Sequence, residues 1–268
     1  MAGLLQDTVL RDSQFRVLTT IMRDVSGVNL TPGKETLVHS RITGRLRALG
    51  LSGFDEYVAL LQSAHGQAEV VQLVDALTTN KTSFFREPEH FRYLEQVVFP
   101  EAISRGGLTA WSAGCSSGEE AYTIAMLARD GMPATRTRIL ATDISTRVLA
   151  RATAAEYSDD TIAAVPRPLV AKHFEQLNRD SWIVDAKTRE LVVFARLNLM
   201  TPWPMRKLFD VIFCRNVMIY FERDVQQKLV HRFSTMLRPG GVLFVGHSES
   251  LSGIEHELRY VQPAVYIK

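Results

Sequence analysis

The sequence predicts an α/β protein in which a helical N-terminal region precedes a mainly parallel sheet. Three observations support this fold class. Apolar residues recur with a helical period through the first third of the chain, and no β-rich stretch occurs before residue 107. Strand-like and helix-like segments then alternate to the end of the chain. A glycine turn, Gly114–Gly118, joins the first predicted strand to a helix.

Composition and charge limit the classes of function. The chain has 268 residues, 46% of them hydrophobic, and a formal net charge of +2. This is material for one large domain or two smaller ones, and the charge does not indicate a nucleic-acid partner. No apolar run has the length of a membrane span, and Met1–Arg11 does not resemble a signal peptide. Cys115 and Cys214 form no C-x-x-C pair, which favours a reduced, cytoplasmic compartment.

Four helices are predicted in the N-terminal region. Gly27 and Gly50 follow the first two helices, where a left-handed glycine commonly ends a helix. The predicted helices are Asp12–Ser26, Lys34–Leu49, Phe54–Gln62 and Ala68–Leu77.

From residue 107 onward the predicted elements alternate, which implies parallel strands joined by right-handed crossovers. The predicted strands are Leu108–Ser112, Arg138–Ala141, Phe209–Cys214 and Gly241–Val245, with one or two more in Leu258–Ile267. The predicted helices are Glu119–Arg129, Thr146–Ala155 and Glu222–Leu237. Two β-rich runs, Trp182–Val184 and Leu191–Phe194, flank Asp185–Glu190 and predict an inserted hairpin.

The first candidate ligand site is the glycine turn, because ligands of open α/β sheets bind beyond the carboxyl ends of the strands. Gly114 and Gly118 allow a ligand to approach the backbone and the N–H groups of a helix start. Glu119, in the first helical turn, favours a positive group over a phosphate. S-adenosylmethionine (SAM) carries an ammonium and a sulfonium and suits this turn. Many strand–helix turns, however, contain two glycines without binding a ligand.

Two later strand ends carry further candidates. Asp143 ends the second strand, where an acid is placed to bind ribose hydroxyls. The same residue could instead serve the start of the helix that Ser145 caps. Arg215 and Asn216 follow the strand Phe209–Cys214, where they either line a cleft or form a solvated loop.

Five segments together resemble the chemotaxis receptor glutamate methyltransferases, the CheR family. They are Leu77–Glu87 (LTTNKTSFFRE), Trp111–Glu120 (WSAGCSSGEE), Ala141–Ile144 (ATDI), Phe209–Phe221 (FDVIFCRNVMIYF) and Gly246–Glu249 (GHSE). The resemblance implies a Rossmann-like, SAM-dependent methyltransferase domain that carries a small antiparallel β-subdomain and follows an all-helical domain. We expect the helical domain at residues 1–78, a linker at 79–87 and the methyltransferase domain at 88–268, with the β-subdomain near 178–195.

The resemblance also assigns roles to residues. It implies cofactor contacts at Asn80, Thr82, Arg86, Gly114, Glu119, Asp143, Asn198, Leu199, Arg215 and Asn216. Arg86 and Tyr220 are the candidates for holding the reacting carboxylate. Judged without the resemblance, Asn80 and Thr82 are ordinary turn residues and Tyr220 is a core aromatic. No metal is expected, because the histidines show no ligand spacing.

The resemblance implies methylation of glutamates on the cytoplasmic methylation helices of bacterial chemoreceptors, with S-adenosylhomocysteine (SAH) as product. The enzyme would be cytoplasmic and recruited to membrane-bound receptor arrays, without inserting into the membrane. A glutamate is ionised at pH 7, so catalysis is mainly positioning. Lys34, Arg41 and Arg45 share one helix face and would form a strip for the acidic substrate; the alternative is a solvated basic face. Val38, Leu46 and Leu49 flank this strip and should pack on the domain.

Rival functions stay open from the sequence alone. An oxidoreductase would also place an acid at Asp143, although the chain lacks the G-x-G-x-x-G fingerprint. A nucleic-acid amino methyltransferase would carry a different motif after the strand that ends at Cys214, and a SAM-sensing binding module is the non-enzymatic alternative. The predicted hairpin turn Asp185–Glu190 contains no glycine, which predicts independence from a pentapeptide at the receptor C-terminus.

Overall fold

The computed structural model describes residues 9–132 and 136–268. Most of Met1–Arg11, the segment compared with a signal peptide, lies outside the described residues. The chain divides into two compact units, Met1–Thr79 with Tyr220–Glu222, and Asn80–Ile219 with Arg223–Lys268. Among the described residues, no helix combines the length and apolar character needed to cross a bilayer.

The first unit contains the four predicted helices, and its core is made by their apolar faces. Leu18, Met22, Ile42 and Phe54 are fully buried there. Leu49 was expected to pack but is 39% exposed, because it is the last residue before the left-handed Gly50. The helices are α1 (Asp12–Ser26), α2 (Glu35–Leu49), α3 (Phe54–Gln62) and α4 (Gln67–Leu77).

The second unit is built on a seven-stranded sheet of order β6-β2-β1-β7-β8-β10-β9 and a separate three-stranded sheet of order β3-β5-β4. The strands are β1 (Gly107–Ala113), β2 (Arg136–Asp143), β3 (Glu156–Ser158), β4 (Phe174–Asn178), β5 (Ser181–Val184), β6 (Val192–Arg196), β7 (Phe209–Cys214), β8 (Leu237–Val245), β9 (Arg259–Gln262) and β10 (Val265–Ile267). The first five strands in this spatial order, β6-β2-β1-β7-β8, pair in parallel. Strands β10 and β9 complete the sheet at one edge in antiparallel orientation.

The central strands are buried on both faces, as their continuous apolar runs require. Trp111, Phe213 and Phe244 are fully buried, and the last two rings stack at 4.5 Å. The helices of this unit are α5 (Pro88–Tyr93), α6 (Phe99–Ser104), α7 (Glu119–Gly131), α8 (Thr146–Ala154), α9 (Asp159–Ile162), α10 (Arg167–His173), α11 (Ala186–Arg189) and α12 (Arg223–Met236). A π-helical turn, Leu94–Val98, joins α5 to α6, and a 3₁₀ turn covers Met218–Tyr220.

The predicted hairpin between Trp182 and Phe194 is wrong. Its first run forms β5, which pairs antiparallel with β3 and β4, whereas its second run forms β6, which pairs in parallel with β2. The predicted turn is instead the helix α11, because the Asp185 carboxylate accepts the Lys187 N–H and caps a helical turn. The small antiparallel sheet therefore spans residues 156–184 and not 178–195.

Candidate cofactor site and active site

The glycine turn between β1 and α7 is anchored to the end of β2. Gly114 has φ +88°, and a Cβ added there would lie 2.4 Å from Val217 Cγ2, so only glycine fits. The N–H groups of Gly114 and Cys115 donate to the Thr142 carbonyl at 2.8 and 2.9 Å. These two N–H groups therefore serve the turn's own packing, whereas access of a ligand to the N–H groups at the start of α7 stays a prediction.

Asp143 joins the turn to the start of α8. Its carboxylate accepts the Ser116 N–H at 2.9 Å and the Ser145 N–H at 3.0 Å, and the residue is 8% exposed. The helix-start role considered as the alternative is thus present. Binding of ribose hydroxyls stays a prediction, since a carboxylate has about four acceptor positions. The Asp143 carbonyl accepts the Leu197 N–H at 3.0 Å, which brings the segment after β6 to the same edge.

The predicted linker is attached to the same turn. The Ser116 hydroxyl donates to the Asn80 carbonyl at 2.8 Å. Four residues further on, Phe84 is buried and meets the Tyr157 ring edge-on at 4.9 Å. Thr82 is half-buried between these two anchors. The linker therefore crosses the carboxyl edge of the sheet close to the turn.

Glu119 is a buried carboxylate at the start of α7. It is 5% exposed, and both of its oxygens accept the Ser117 hydroxyl, at 2.9 and 2.8 Å. Burial raises its pKa, and the Ser117 hydrogen bond offsets part of that rise. No ion pair reaches this carboxylate within residues 9–132 and 136–268. A buried acid without a cation fits the ammonium of a SAM molecule.

Arg215 lies in a buried ion-pair network, and its predicted contact with the cofactor stays a prediction. Its side chain is 2% exposed and pairs with Glu87 Oε2 at 3.1 Å and Glu120 Oε2 at 3.0 Å. The same guanidinium donates to the Arg86 carbonyl. Glu120 also accepts the Ser112 hydroxyl at 2.6 Å. A buried arginine between two acids therefore contacts the backbone at Arg86.

Arg86 and Asn216 lie beside this buried network. Arg86 is a half-buried residue whose guanidinium donates to the Lys81 carbonyl at 2.7 Å; no carboxylate pairs with it among the described residues. Asn216 has φ +58°, and its N–H donates to Glu249 at 2.6 Å. The Glu249 carboxylate, 6% exposed, also accepts the Ile219 N–H at 3.1 Å. Sequence reasoning did not identify Glu87, Glu120 or Glu249 as parts of this region.

The segment after β6 is held by a residue that the sequence analysis missed. Asn198 Oδ1 accepts the Met200 N–H at 2.9 Å, and Leu199 is 8% exposed. Arg232 donates to the carbonyls of Leu199 and Thr201, at 2.6 Å each. Its guanidinium also lies 3.8 Å from the centre of the Trp203 ring. No local sequence pattern predicts these contacts, because the acceptors are backbone carbonyls that are distant from Arg232 in sequence.

The predicted basic strip on α2 is mostly occupied within the helical unit. Arg45 makes a two-point contact with Glu69, at 2.9 and 2.6 Å, and Glu69 is 7% exposed. Arg41 donates to the carbonyls of residues 76–78 at the end of α4, at 2.9–3.2 Å. Lys34 is exposed at the start of α2. The strip is therefore not a row of free cations, because two of its members hold α4 in place.

Tyr220 ends the 3₁₀ turn and belongs to the helical unit, where its carbonyl accepts the Asn29 N–H at 2.8 Å. Its ring is half-exposed. Its predicted hydrogen bond to a substrate carboxylate stays a prediction.

A mainly parallel sheet with polar residues at its carboxyl edge is shared by several classes of α/β enzyme, SAM-dependent methyltransferases among them. Comparison with known proteins gives the family. Residues 80–267 match the family described as CheR methyltransferase, SAM binding domain, and residues 13–78 match its all-alpha domain. The chain belongs to the CheR family and is a chemotaxis protein methyltransferase that uses SAM.

Curated relatives agree along nearly the whole length. The chemotaxis protein methyltransferase of Borreliella burgdorferi is 37% identical, over 97% of this chain and 95% of its own. That of Escherichia coli K12 is 37% identical, over 96% and 91%. Among solved structures, a SAM-dependent methyltransferase from Mesorhizobium loti is 20% identical, with 57% of this chain and 54% of that chain covered and a TM-score of 0.31.

Proposed function

We propose that the enzyme transfers the methyl group of SAM to glutamate side chains on the cytoplasmic helices of bacterial chemoreceptors, forming methyl esters and SAH. The names of its relatives support a role in chemotaxis, and the residues at the carboxyl edge of the sheet support transfer of a methyl group from SAM to a carboxylate. The observation that carries the proposal is that an acid and a guanidinium, suited to the cofactor and to the substrate respectively, lie at this same edge. A buried acid, Glu119, suits a cationic cofactor. The Arg86 guanidinium, which has no carboxylate partner in the part of the chain that the structure describes, suits an anionic substrate.

The proposed binding follows from the contacts. Glu119 would hold the ammonium of SAM, Asp143 the ribose hydroxyls, and the segment Asn198–Leu199 the adenine. Bound SAM supplies an electrophilic methyl on a sulfonium. The linker residues Asn80 and Thr82 would cover the cofactor.

The substrate carboxylate needs no general base, because a glutamate with a pKa near 4.3 is ionised at pH 7. The task of the protein is to hold that anion in line with the methyl group and to keep water out. Arg86 is half-buried and can donate to the substrate carboxylate, so that the negative charge of the substrate is paired with a positive one. Arg215 supports this geometry by donating to the Arg86 carbonyl. Tyr220 is a second proposed donor.

The roles of Arg86 can be separated kinetically. Arg86→Ala should lower kcat for receptor methylation far more than it weakens SAM binding measured by calorimetry, because its proposed partner is the incoming carboxylate. Arg92→Ala is the matched control, since Arg92 is exposed and pairs only with Glu89 among the described residues. Equal losses in kcat and in SAM affinity would make Arg86 a cofactor ligand instead.

Receptor docking is proposed on the helical unit through Lys34, the member of the predicted strip that has no ion-pair partner within residues 9–132 and 136–268. Lys34→Glu should lower the methylation rate on receptors at low ionic strength and leave SAM affinity unchanged. Lys228→Glu on α12 serves as control. Charge reversal at Arg41 or Arg45 would not separate receptor docking from stability, because both side chains hold α4 in place.

Independence from a receptor pentapeptide now concerns a different turn. The turn of the small sheet is Asn178–Ser181, between β4 and β5, and like α11 it contains no glycine. We propose that such a pentapeptide is not required. Micromolar binding of the peptide to the purified enzyme would contradict this.

The function is tested by incubating the enzyme with methyl-labelled SAM and receptor-containing membranes. Label should enter the receptor and SAH should accumulate in equal amount. A protein that binds SAM but transfers nothing would be the sensing module considered above. We propose that the enzyme acts in the cytoplasm, at the receptor arrays.

A further inference from the structure

A second cluster of chemically competent side chains lies beside the methyl-transfer site. Glu87 precedes α5, His90 lies in that helix and His247 follows β8. One potential ligand atom from each side chain lies within 4.8 Å of the other two. His90 and His247 carry no part of the cofactor or substrate roles proposed above, and Glu87 is connected to them through its ion pair with Arg215. The sequence analysis expected no metal, because their spacing along the chain follows no metal motif.

His90 is the residue that most needs a partner. It is fully buried, and neither ring nitrogen has a hydrogen-bond partner among the described residues. Its ring lies between Phe244, at 5.1 Å, and His247, at 5.0 Å. A buried imidazole without a partner is costly, and each such group in a native fold calls for a ligand, an ion or a water.

The distances suit a small divalent cation. His90 Nδ1 lies 3.5 Å from Glu87 Oε2. Two ligands about 2.0–2.2 Å from a tetrahedral zinc ion are about 3.4 Å apart, so this pair is close to ligating separation. His247 is exposed and offers both the third nitrogen and the opening to solvent through which an ion and a water ligand enter.

The charges of the surrounding network favour a cation as well. Arg215 pairs with two carboxylates, Glu87 and Glu120, whose side chains are 13% and 12% exposed. One guanidinium therefore faces two acids, and a further positive charge would complete the balance. Glu87 would then bridge the arginine and the ion, as carboxylates next to metals commonly do.

We propose that Glu87, His90 and His247 form a binding site for a divalent transition metal of the Zn²⁺ type. Two imidazoles and one carboxylate, with a fourth position open to water, form a donor set that suits zinc. The ion would fasten the segment that follows the linker to the loop after β8, and so stiffen the backbone next to Arg86.

The test is metal binding by the full chain after dialysis against a chelator. Titration with Zn²⁺ should give one equivalent per chain, and Co²⁺ should give the visible absorption of a low-symmetry four-coordinate ion. His247→Asn should weaken Zn²⁺ binding at least about tenfold. It is the variant of choice because His247 is exposed and its replacement should fold. His231→Asn, on the exposed side of α12, is the control and should bind as the wild type does.

A second variant separates metal ligation from a merely structural role. Glu87→Gln should lose Zn²⁺ affinity, and added Zn²⁺ should raise the Tm of the wild type but not that of this variant. The proposal is overturned if the wild type binds less than one equivalent or if His247→Asn binds Zn²⁺ as tightly as the wild type. It is equally overturned if Zn²⁺ leaves the wild-type Tm unchanged. None of these readouts requires methyl transfer, so their failure leaves the proposed function untouched.

Discussion

Replacing Glu119 by glutamine should make the free protein more stable and the cofactor complex weaker. The substitution keeps the shape of a buried side chain and removes its charge. Burial disfavours the charged form of Glu119 and thereby raises its pKa. Glutamine removes that penalty, but it cannot pair with an ammonium.

The sign of the pH dependence follows from the same shift. A carboxyl whose pKa is raised in the folded state stabilises the fold below its unfolded pKa of about 4.3, and loses this contribution as pH rises through the folded pKa. The wild type loses this contribution as the pH rises through the folded pKa of Glu119, whereas Glu119→Gln has nothing to lose. The Tm difference between the variant and the wild type should therefore grow from pH 4 to pH 7.

The loss of binding can be given a magnitude. Both Glu119 oxygens accept the Ser117 hydroxyl, and because a carboxylate has about four acceptor positions, some remain for an ammonium. A charge-assisted hydrogen bond contributes about 1.5–3 kcal/mol, which corresponds to about a 10- to 150-fold increase in Kd. SAM and SAH should be affected alike, because both carry the amino group.

Calorimetric titration with SAM and with SAH measures this loss, and thermal unfolding without ligand measures the stability. Glu95→Gln is the matched control, since burial also raises the pKa of Glu95 in the π-helical turn, away from the carboxyl edge. The control should leave both Kd values unchanged. Unchanged SAM affinity in a folded Glu119→Gln protein would refute the assignment of Glu119.

Further predictions concern the neighbouring contacts. Asp143→Ala should weaken SAM and SAH equally in calorimetry, and unchanged affinities would remove the ribose contact. Arg232→Lys should weaken both ligands about 5- to 30-fold, because it breaks two carbonyl contacts and the Trp203 stacking; an unchanged Kd would show that the segment after β6 holds without it. Arg45→Gln should lower the free energy of unfolding by about 1–3 kcal/mol in urea titrations, because it removes the ion-pair partner of the buried Glu69. A smaller effect would mean that Arg45 is available to bind the substrate as first predicted.

Local sequence signals predicted the regular elements well. Helices α1 and α3 and strand β7 have the predicted bounds, because glycine stops and apolar periodicity act within a few residues. The carboxyl-edge rule placed the glycine turn and Asp143 together, and the Ser116 N–H of that turn donates to the Asp143 carboxylate. Asn80 was placed by the family resemblance, and its carbonyl accepts the Ser116 hydroxyl.

The errors have a different physical origin. The β-rich composition of Leu191–Phe194 is equally compatible with pairing to β5 and with pairing to β2. The partner is therefore decided by tertiary packing and not by the local sequence. The charges of Arg41, Arg45 and Arg215 were visible in the sequence, but their partners lie 24 to 129 residues away. Whether an arginine is free or paired is therefore decided by the fold and not by its neighbours in the chain.

The most direct test of the central claim is the chemical identity of the transferred methyl group. Receptor-containing membranes labelled by the enzyme are digested, the modified residues are located by mass spectrometry, and the label is treated with mild base. The account predicts that the label lies on glutamates of the cytoplasmic helices and is released as methanol, as a carboxylate ester requires. Base-stable label, or label on lysine or another side chain, would contradict it.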